Sequence, residues 1–247
     1  MKLTKIEDPL STTVVKSIPV RRVVMSSNPD EYLSEGDLLL VIDPLKRLYR
    51  RLDSMEGITQ RWNTDRWDIA TDSPSGDSVS LHTSGAQARR LASVDAVSGL
   101  ADVEVVAKIK ASAFTPASGS SPSLVLRGSG EAGSETGYSA SVGRDTIRMG
   151  KFVNGAYTPL DSISETIPVN EWFWLRFRIL GSKLQVKIWP DDTPEPAEWR
   201  RTTYDSSIES GGWIGASATT NTADLFYHSI GVAALTSEDD QAPTEAL

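Results

Sequence analysis

Between residues 102 and 110 the chain reads "DVEVVAKIK", with Val103, Val105, Ala107 and Ile109 alternating against Asp102, Glu104, Lys108 and Lys110. A period of two puts each set on its own face, the pattern of a half-buried antiparallel strand. Comparable runs follow. "LVLRGSGEAGSETGYSASV" reads as a strand, a glycine-rich loop and a second strand, and "TIRMGKFV", "EWRRTTYD", "GGWIGASAT" and "ADLFYHSIGVAAL" extend the series. Stretches such as "ASAFTPASGSSPS" separate them as loops. Short strands at this spacing, with almost no helical periodicity, predict an all-β antiparallel β-sandwich from about residue 57 onward.

The segment "EWFWLRFRILGSKLQVKIW", residues 171–189, is the most informative single pattern. Gly181-Ser182 between two alternating runs predicts a two-residue hairpin loop of type II′, with glycine at its first central position. That loop fixes the register: Ile179 faces Leu184, Phe177 faces Val186, and Leu175 faces Ile188 on one apolar face. The opposite face pairs Arg178 with Gln185, Arg176 with Lys187, and Trp174 with Trp189, with Trp172 one step further. Like charges directly opposite one another destabilise a sheet, so Arg176 and Lys187 require a third group. Either a carboxylate on a neighbouring strand, Glu104 or Asp102, or an anionic ligand would serve. Packing under a covering layer and a ligand platform both fit such a face.

Residues 1–56 read differently. Pro19 interrupts the β-branched run "TTVVKSIPVRRVVM" and predicts an edge strand or extended arm. "NPDEYL" offers Asn28 as a helix cap with Pro29 after it, and "DLLLVI" reads as a buried strand. Asp43-Pro44 repeats the cap-and-proline signal ahead of "LKRLYRRL", where the basic cluster reads as the solvated face of a short helix. This small mixed extension is expected to dock on another surface, and residues 236–247, "SEDDQAPTEAL" within them, have the composition of an acidic tail.

Charge sharpens the division. Residues 1–51 carry 9 Lys+Arg and 7 Asp+Glu, net +2, whereas the remainder carries 16 and 26, net −10, giving −8 in all. An acidic body argues against nucleic acid as a partner, since phosphate contacts need a basic footprint. No apolar run is long enough for membrane insertion, and no secretory leader is expected from the first residues. The chain has no cysteine and two histidines, His82 and His228, which removes thiolate chemistry and leaves no metal-site spacing. Asp191 with Asp192, or Asp72 with Asp77, could supply oxygen ligands to calcium, but no EF-hand-like spacing accompanies them and a solvated acidic turn accounts for both.

The order of "LVLRGSGEAGSETGYSASV", "NEWFWLRFRILGSKLQVKIWPDDTPEPAEW", "SGGWIGA" and "FYHSIGVA" resembles the concanavalin A-like, laminin G-like jelly-roll superfamily over residues 57–235. The versions it resembles are those of tailed-phage structural proteins and of carbohydrate-associated bacterial proteins. The resemblance implies a non-enzymatic virion protein, a capsid decoration or tail or fibre component assembled in the host cytoplasm. Residues 1–56 would anchor it to other virion proteins, as part of an oligomer. The outward domain would adhere to host surface polysaccharide through Trp172, Trp174, Arg176, Arg178, Lys187 and Trp189, the rings stacking on sugars and the cations meeting acidic groups. The alternative is a stand-alone bacterial carbohydrate-binding module, and the least favoured reading is a glycoside hydrolase.

Catalysis finds little support in the residues. The glucanase branch of the resembling fold aligns carboxylates as Glu-x-Asp-x-Glu, and Asp102-Val103-Glu104 is the nearest approach, better read as salt partners. Neither histidine sits in a triad context; His228 alternates with Phe226 and Ile230 as an interior residue would. The glycines at 128, 130, 133 and 137 precede a strand, so they connect strands and do not cradle phosphate. No catalytic residue and no cofactor is expected.

Overall fold

A computed structural model of the protein describes residues 48–51, 58–60, 68–71, 79–83, 89–114, 121–131, 133–219 and 224–235. In chain order the strands are β1 (Leu48–Arg51), β2 (Ile58–Gln60), β3 (Asp68–Thr71), β4 (Val79–Thr83) and β5 (Arg89–Leu100). Then come β6 (Val103–Ala111), β7 (Ser121–Ser129), β8 (Thr136–Gly143), β9 (Thr146–Val153) and β10 (Ala156–Ser164). The series ends with β11 (Phe173–Leu180), β12 (Lys183–Pro190), β13 (Arg201–Tyr204), β14 (Gly212–Thr219) and β15 (Leu225–Ala234). All pairings are antiparallel, in an eight-stranded sheet ordered β13-β12-β11-β6-β15-β4-β3, with β1 also on β15, and a seven-stranded sheet ordered β10-β9-β8-β7-β14-β5-β2.

The chain changes sheet at β1–β2, β2–β3, β4–β5, β5–β6, β6–β7, β10–β11, β13–β14 and β14–β15, so the two layers are laced together along its length. Between them lies one apolar core. Val103, Val105, Ala107, Ile109, Leu175, Phe177, Ile179 and Val186 of the eight-stranded sheet meet Leu124, Leu126, Ala140, Val142, Met149, Ile214 and Ala216 of the other. The expected hairpin is present residue for residue, from Phe173 opposite Pro190 to Leu180 opposite Lys183. Gly181 has φ +58° and Ser182 does not join the positive-φ residues, which is the type II′ arrangement.

Three polar ties cross the core. Tyr227 of β15 reaches the opposite sheet, where its hydroxyl accepts from Ser123 N–H at 2.9 Å and donates to the Ser217 carbonyl at 2.9 Å. Arg127, at φ +52° in a bulge of β7, donates to the carbonyls of Ala101, Ile208 and Gly181 at 2.6, 2.6 and 2.9 Å. The Tyr138 hydroxyl of β8 donates to Asp205 Oδ1 at 2.6 Å and accepts from Ile208 N–H at 3.1 Å, fixing the loop that follows β13.

The structure corrects several local expectations. β6 is not half-buried: Glu104 and Lys110 on its polar face are each 2% exposed, because β6 lies centrally between β11 and β15 and that face is covered. Residues 48–51 form a strand and not a helix. β4 pairs only with Leu225–Tyr227, which leaves the backbone of Ser229–Val232 unpaired on that side, and β1 supplies the partner. β1, which falls within residues 1–56, therefore pairs with the sandwich. β5 and β10 lacked a clean alternation; both carry register shifts, and β10 contains Pro159 on an outer strand. The helix at Asn28, the runs "TTVVKSIPVRRVVM" and "DLLLVI", the Asp72/Asp77 pair and the tail 236–247 lie outside the described residues.

Candidate functional site

The outward face of the eight-stranded sheet carries the six residues singled out above. Register sets them in rows: Trp189, Trp174, Lys108 and Ser229; Lys187, Arg176, Val106 and Gly231; Gln185, Arg178, Glu104 and Ala233. An aromatic row is thus followed by two rows that carry Arg176, Lys187 and Arg178, with Trp172 lying just before the strand.

The third group required by Arg176 and Lys187 is two carboxylates of the chain itself. Glu104, opposite Arg178 on β6, accepts from Arg176 Nη1 at 3.0 Å and from Arg178 Nε at 2.8 Å. Glu195, in the loop after β12, folds back to accept from Arg176 Nη2 at 2.7 Å and lies 2.5 Å from Lys187 Nζ. Lys187 also donates to the Pro196 carbonyl at 2.8 Å. Trp199 from the same loop roofs the cluster, its ring 4.9 Å from both the Arg178 guanidinium and the Lys187 ammonium. Burial pulls the Lys187 ammonium below the usual lysine range, against the opposing pull of Glu195.

This geometry revises the expected use of the cations. Arg176, Arg178 and Lys187 are 1%, 5% and 1% exposed, so they face carboxylates beneath a covering loop and do not reach outward. Trp189 is buried as well, stacked on Trp174 with ring centroids 6.2 Å apart and planes 12° apart. Trp172 and Trp174 remain half-buried.

Those two rings form an accessible pad at the end of the sheet. Lys108 Nζ sits 5.8 Å from each ring centroid, between the indoles, and pairs with Asp191 Oδ2 at 2.9 Å. Trp174 Nε1 donates to Asp191 Oδ1 at 2.8 Å, and Asp191 N–H donates to the Trp172 carbonyl at 3.1 Å. Asp191 thereby fixes the Trp174 indole, the Trp172 backbone and the neighbouring cation. The calcium role considered for Asp191 and Asp192 meets a carboxylate already engaged on both oxygens, and among the described residues no cluster of three His, Asp or Glu is placed to hold a metal ion.

Deeper along the same face, Lys110 Nζ lies 4.9 Å from the Trp172 ring and 5.2 Å from the Phe226 ring, and burial lowers its pKa. His228 tilts against Trp172 at 5.7 Å. A register shift between Tyr227 and Ser229 separates the faces that simple alternation would join: Ile230 enters the core, while Phe226 contacts Lys110 on the outward face. His82 sits in β4 opposite Phe226 in register.

Sequence reasoning missed Glu195, Trp199, Lys108 and Asp191 as members of this site. The signal was present as "WPDDTPEPAEW", a proline-rich loop following Trp189, but only its return over β12 brings Glu195 to Arg176.

Two catalytic readings fail on geometry. Glu104 is buried between two guanidiniums, and Asp102 Oδ1 accepts from Gly181 N–H at 2.7 Å and Arg127 Nη2 at 3.3 Å, so the first is spent on the cations and the second ties the hairpin turn to β7. Ser207, Lys151 and Tyr138 converge in a manner that suggests a serine nucleophile with a lysine base. Lys151 Nζ, however, donates to Asp205 Oδ2 at 2.6 Å and to Ser207 Oγ at 2.8 Å, so it is a donor to the hydroxyl and not placed as its base. Burial pushes the Asp205 carboxyl up, but hydrogen bonds from Lys151, Ser207 and Tyr138 outweigh it and hold the carboxyl well below the usual range.

No protein-family model matches the sequence, and no curated protein sequence does. Solved structures are similar in fold. The carbohydrate-binding module CBM66 from Bacillus subtilis superposes with TM-score 0.53 at 19% identity, covering 72% of this chain and 95% of that one. The fold is a lectin-like jelly roll. The exoplasmic/lumenal domain of VIP36, in a form bound to Ca2+ and Man3GlcNAc, gives TM-score 0.53 at 14% identity over 80% of this jelly-roll chain and 94% of its own. A legume lectin-like domain from Entamoeba histolytica gives 0.51 at 13% identity, over 74% and 92% respectively.

Proposed function

We propose that the protein is a non-catalytic carbohydrate-binding module whose contact surface is the pad of Trp172 and Trp174. The observation that carries this reading is the pair of half-buried indoles flanking Lys108, with the Trp174 indole held by Asp191, on the outward face of a lectin-like sandwich. Sugar rings present one apolar face of C–H groups, which stacks on indole, while their hydroxyls hydrogen-bond to polar groups at the edge. Lys108 and Asp191 are placed to supply such groups. CBM66 and the glycan-bound VIP36 domain share the fold, which supports a carbohydrate ligand.

The network of Arg176, Arg178, Lys187, Glu104 and Glu195 lies beside the pad on the same face, under the loop carrying Glu195 and Trp199, and is not its contact surface. Display of the module on a tailed-phage particle, with residues 1–56 as its anchor, is a second reading favoured by the sequence resemblance over 57–235. Association with particles that is lost on removing residues 1–47 would distinguish it from a free module. The direct test of sugar binding is a glycan array probed with the wild-type chain and with Trp174→Ala. Signal in the wild type and its loss in a variant with an unshifted melting temperature is the expected result; equal signal from both removes the pad from the site.

A further inference from the structure

The charge distribution around the pad goes beyond sugar binding in general and bears on which sugars fit. We infer that the pad selects neutral glycans and rejects polyanionic ones. This inference rests on the carbohydrate-binding reading above.

Among the described residues around the pad, the cations that could draw a uronic acid or sulfate are paired with carboxylates or, as with Lys110 at 2% exposed, buried. Arg176 and Arg178 donate to Glu104 at 3.0 and 2.8 Å, and Glu195 lies 2.7 Å from Arg176 and 2.5 Å from Lys187. An acidic sugar would have to expel a buried carboxylate and lift the loop carrying Glu195 and Trp199. The remaining pair at the pad, Lys108 and Asp191, is 2.9 Å apart with side chains 13% and 33% exposed, so the more accessible member is the carboxylate. The exposed charged residues that adjoin the pad in the chain, Glu171 and Asp192, are also acidic. The chain as a whole carries −8. Short-range and long-range electrostatics therefore both oppose a polyanion, whereas hydroxyls of a neutral pyranose can donate to Asp191 and accept from Lys108 without displacing either.

The test uses the full chain in affinity electrophoresis through gels containing soluble neutral polysaccharides: xylan, galactomannan, pullulan and mixed-linkage β-glucan. Alginate, polygalacturonate and dextran sulfate are run alongside. Each neutral polymer that retards the protein is then compared with its own carboxymethylated derivative. The expected result is retardation by at least one neutral polymer, unchanged on adding salt, and weakened about tenfold by carboxymethylation at low salt. Trp172→Ala should abolish it, with the melting temperature measured in parallel and Trp172→Tyr as the variant that keeps an aromatic face. Preferential retardation by an acidic polymer, relieved by salt, overturns the neutral class while leaving sugar binding intact. Failure of both neutral and acidic polymers to retard the protein overturns the two together.

Discussion

Arg176 shows how burial changes the meaning of a residue. In sequence it is a cation on the polar face of a hairpin; in the fold it is 1% exposed and held by carboxylates from two other segments. Desolvating such groups is expensive, and removing one partner leaves the other charged and buried. Glu104→Ala takes the shared carboxylate from Arg178 and leaves Arg176 only Glu195, so it should cost about 3–5 kcal/mol in urea unfolding. Replacing Glu104, Arg176 and Arg178 together by Met or Leu should cost far less than that single change, because no buried charge is then left without its partner. Tyr227 makes the same case with neutral groups. Tyr227→Phe leaves the Ser123 N–H and the Ser217 carbonyl without their hydroxyl partner inside the core and should cost about 1–3 kcal/mol, read from the same urea curves.

At the scale of elements, the β11–β12 hairpin is specified locally and used globally. Its register follows from a two-residue loop and alternating apolar positions, and the observed pairs agree through Leu180–Lys183. Gly181 at φ +58° makes the turn possible, and its N–H donates to Asp102 while its carbonyl accepts from Arg127. Gly181→Ala should therefore destabilise the protein by about 1–2 kcal/mol, although a Cβ there meets no atom within 4 Å. Ser182→Ala, one residue on, should leave the urea midpoint unchanged. β6 and β1 show where local pattern gave out. The polar face of β6 alternates as a solvated face would, and β1 follows a helix-start signal; position in the sheet overrode both.

For the whole molecule, acid stability depends on the loop after β13. The Asp205 carboxyl is held below its ordinary value in the folded state, so its contribution is complete above the unfolded carboxylate range, near pH 4, and is lost as pH falls through the folded value. The urea midpoint should fall progressively below about pH 4. Asp205→Asn should start from a lower midpoint at pH 7 and lack that part of the acid loss. The outer edges of the two sheets are joined differently, by Arg201 with Asp161 at 2.7 Å and Arg200 with Glu165 at 2.6 Å, both partly exposed. Solvent and salt screen such pairs, so Arg201→Ala should leave the midpoint within experimental error.

The sequence by itself determined the all-β class, the hairpin register and the shared face of Trp172, Trp174, Arg176, Arg178, Lys187 and Trp189, because alternation and turn chemistry act between near neighbours. It also posed the Arg176–Lys187 conflict and named Glu104 as one way to resolve it. Tertiary structure alone decided that Glu195 completes the network, that the half-buried Trp199 covers it, and that Trp172 and Trp174 remain partly open while Trp189 is buried beside them. Those outcomes depend on contacts between segments 19 to 72 residues apart, such as Arg176 with Glu195 and with Glu104, and no local period encodes them. Solvent exposure belongs to the assembled layers, and it separates the tryptophans that can meet a sugar from the cations that hold the sheet beside them.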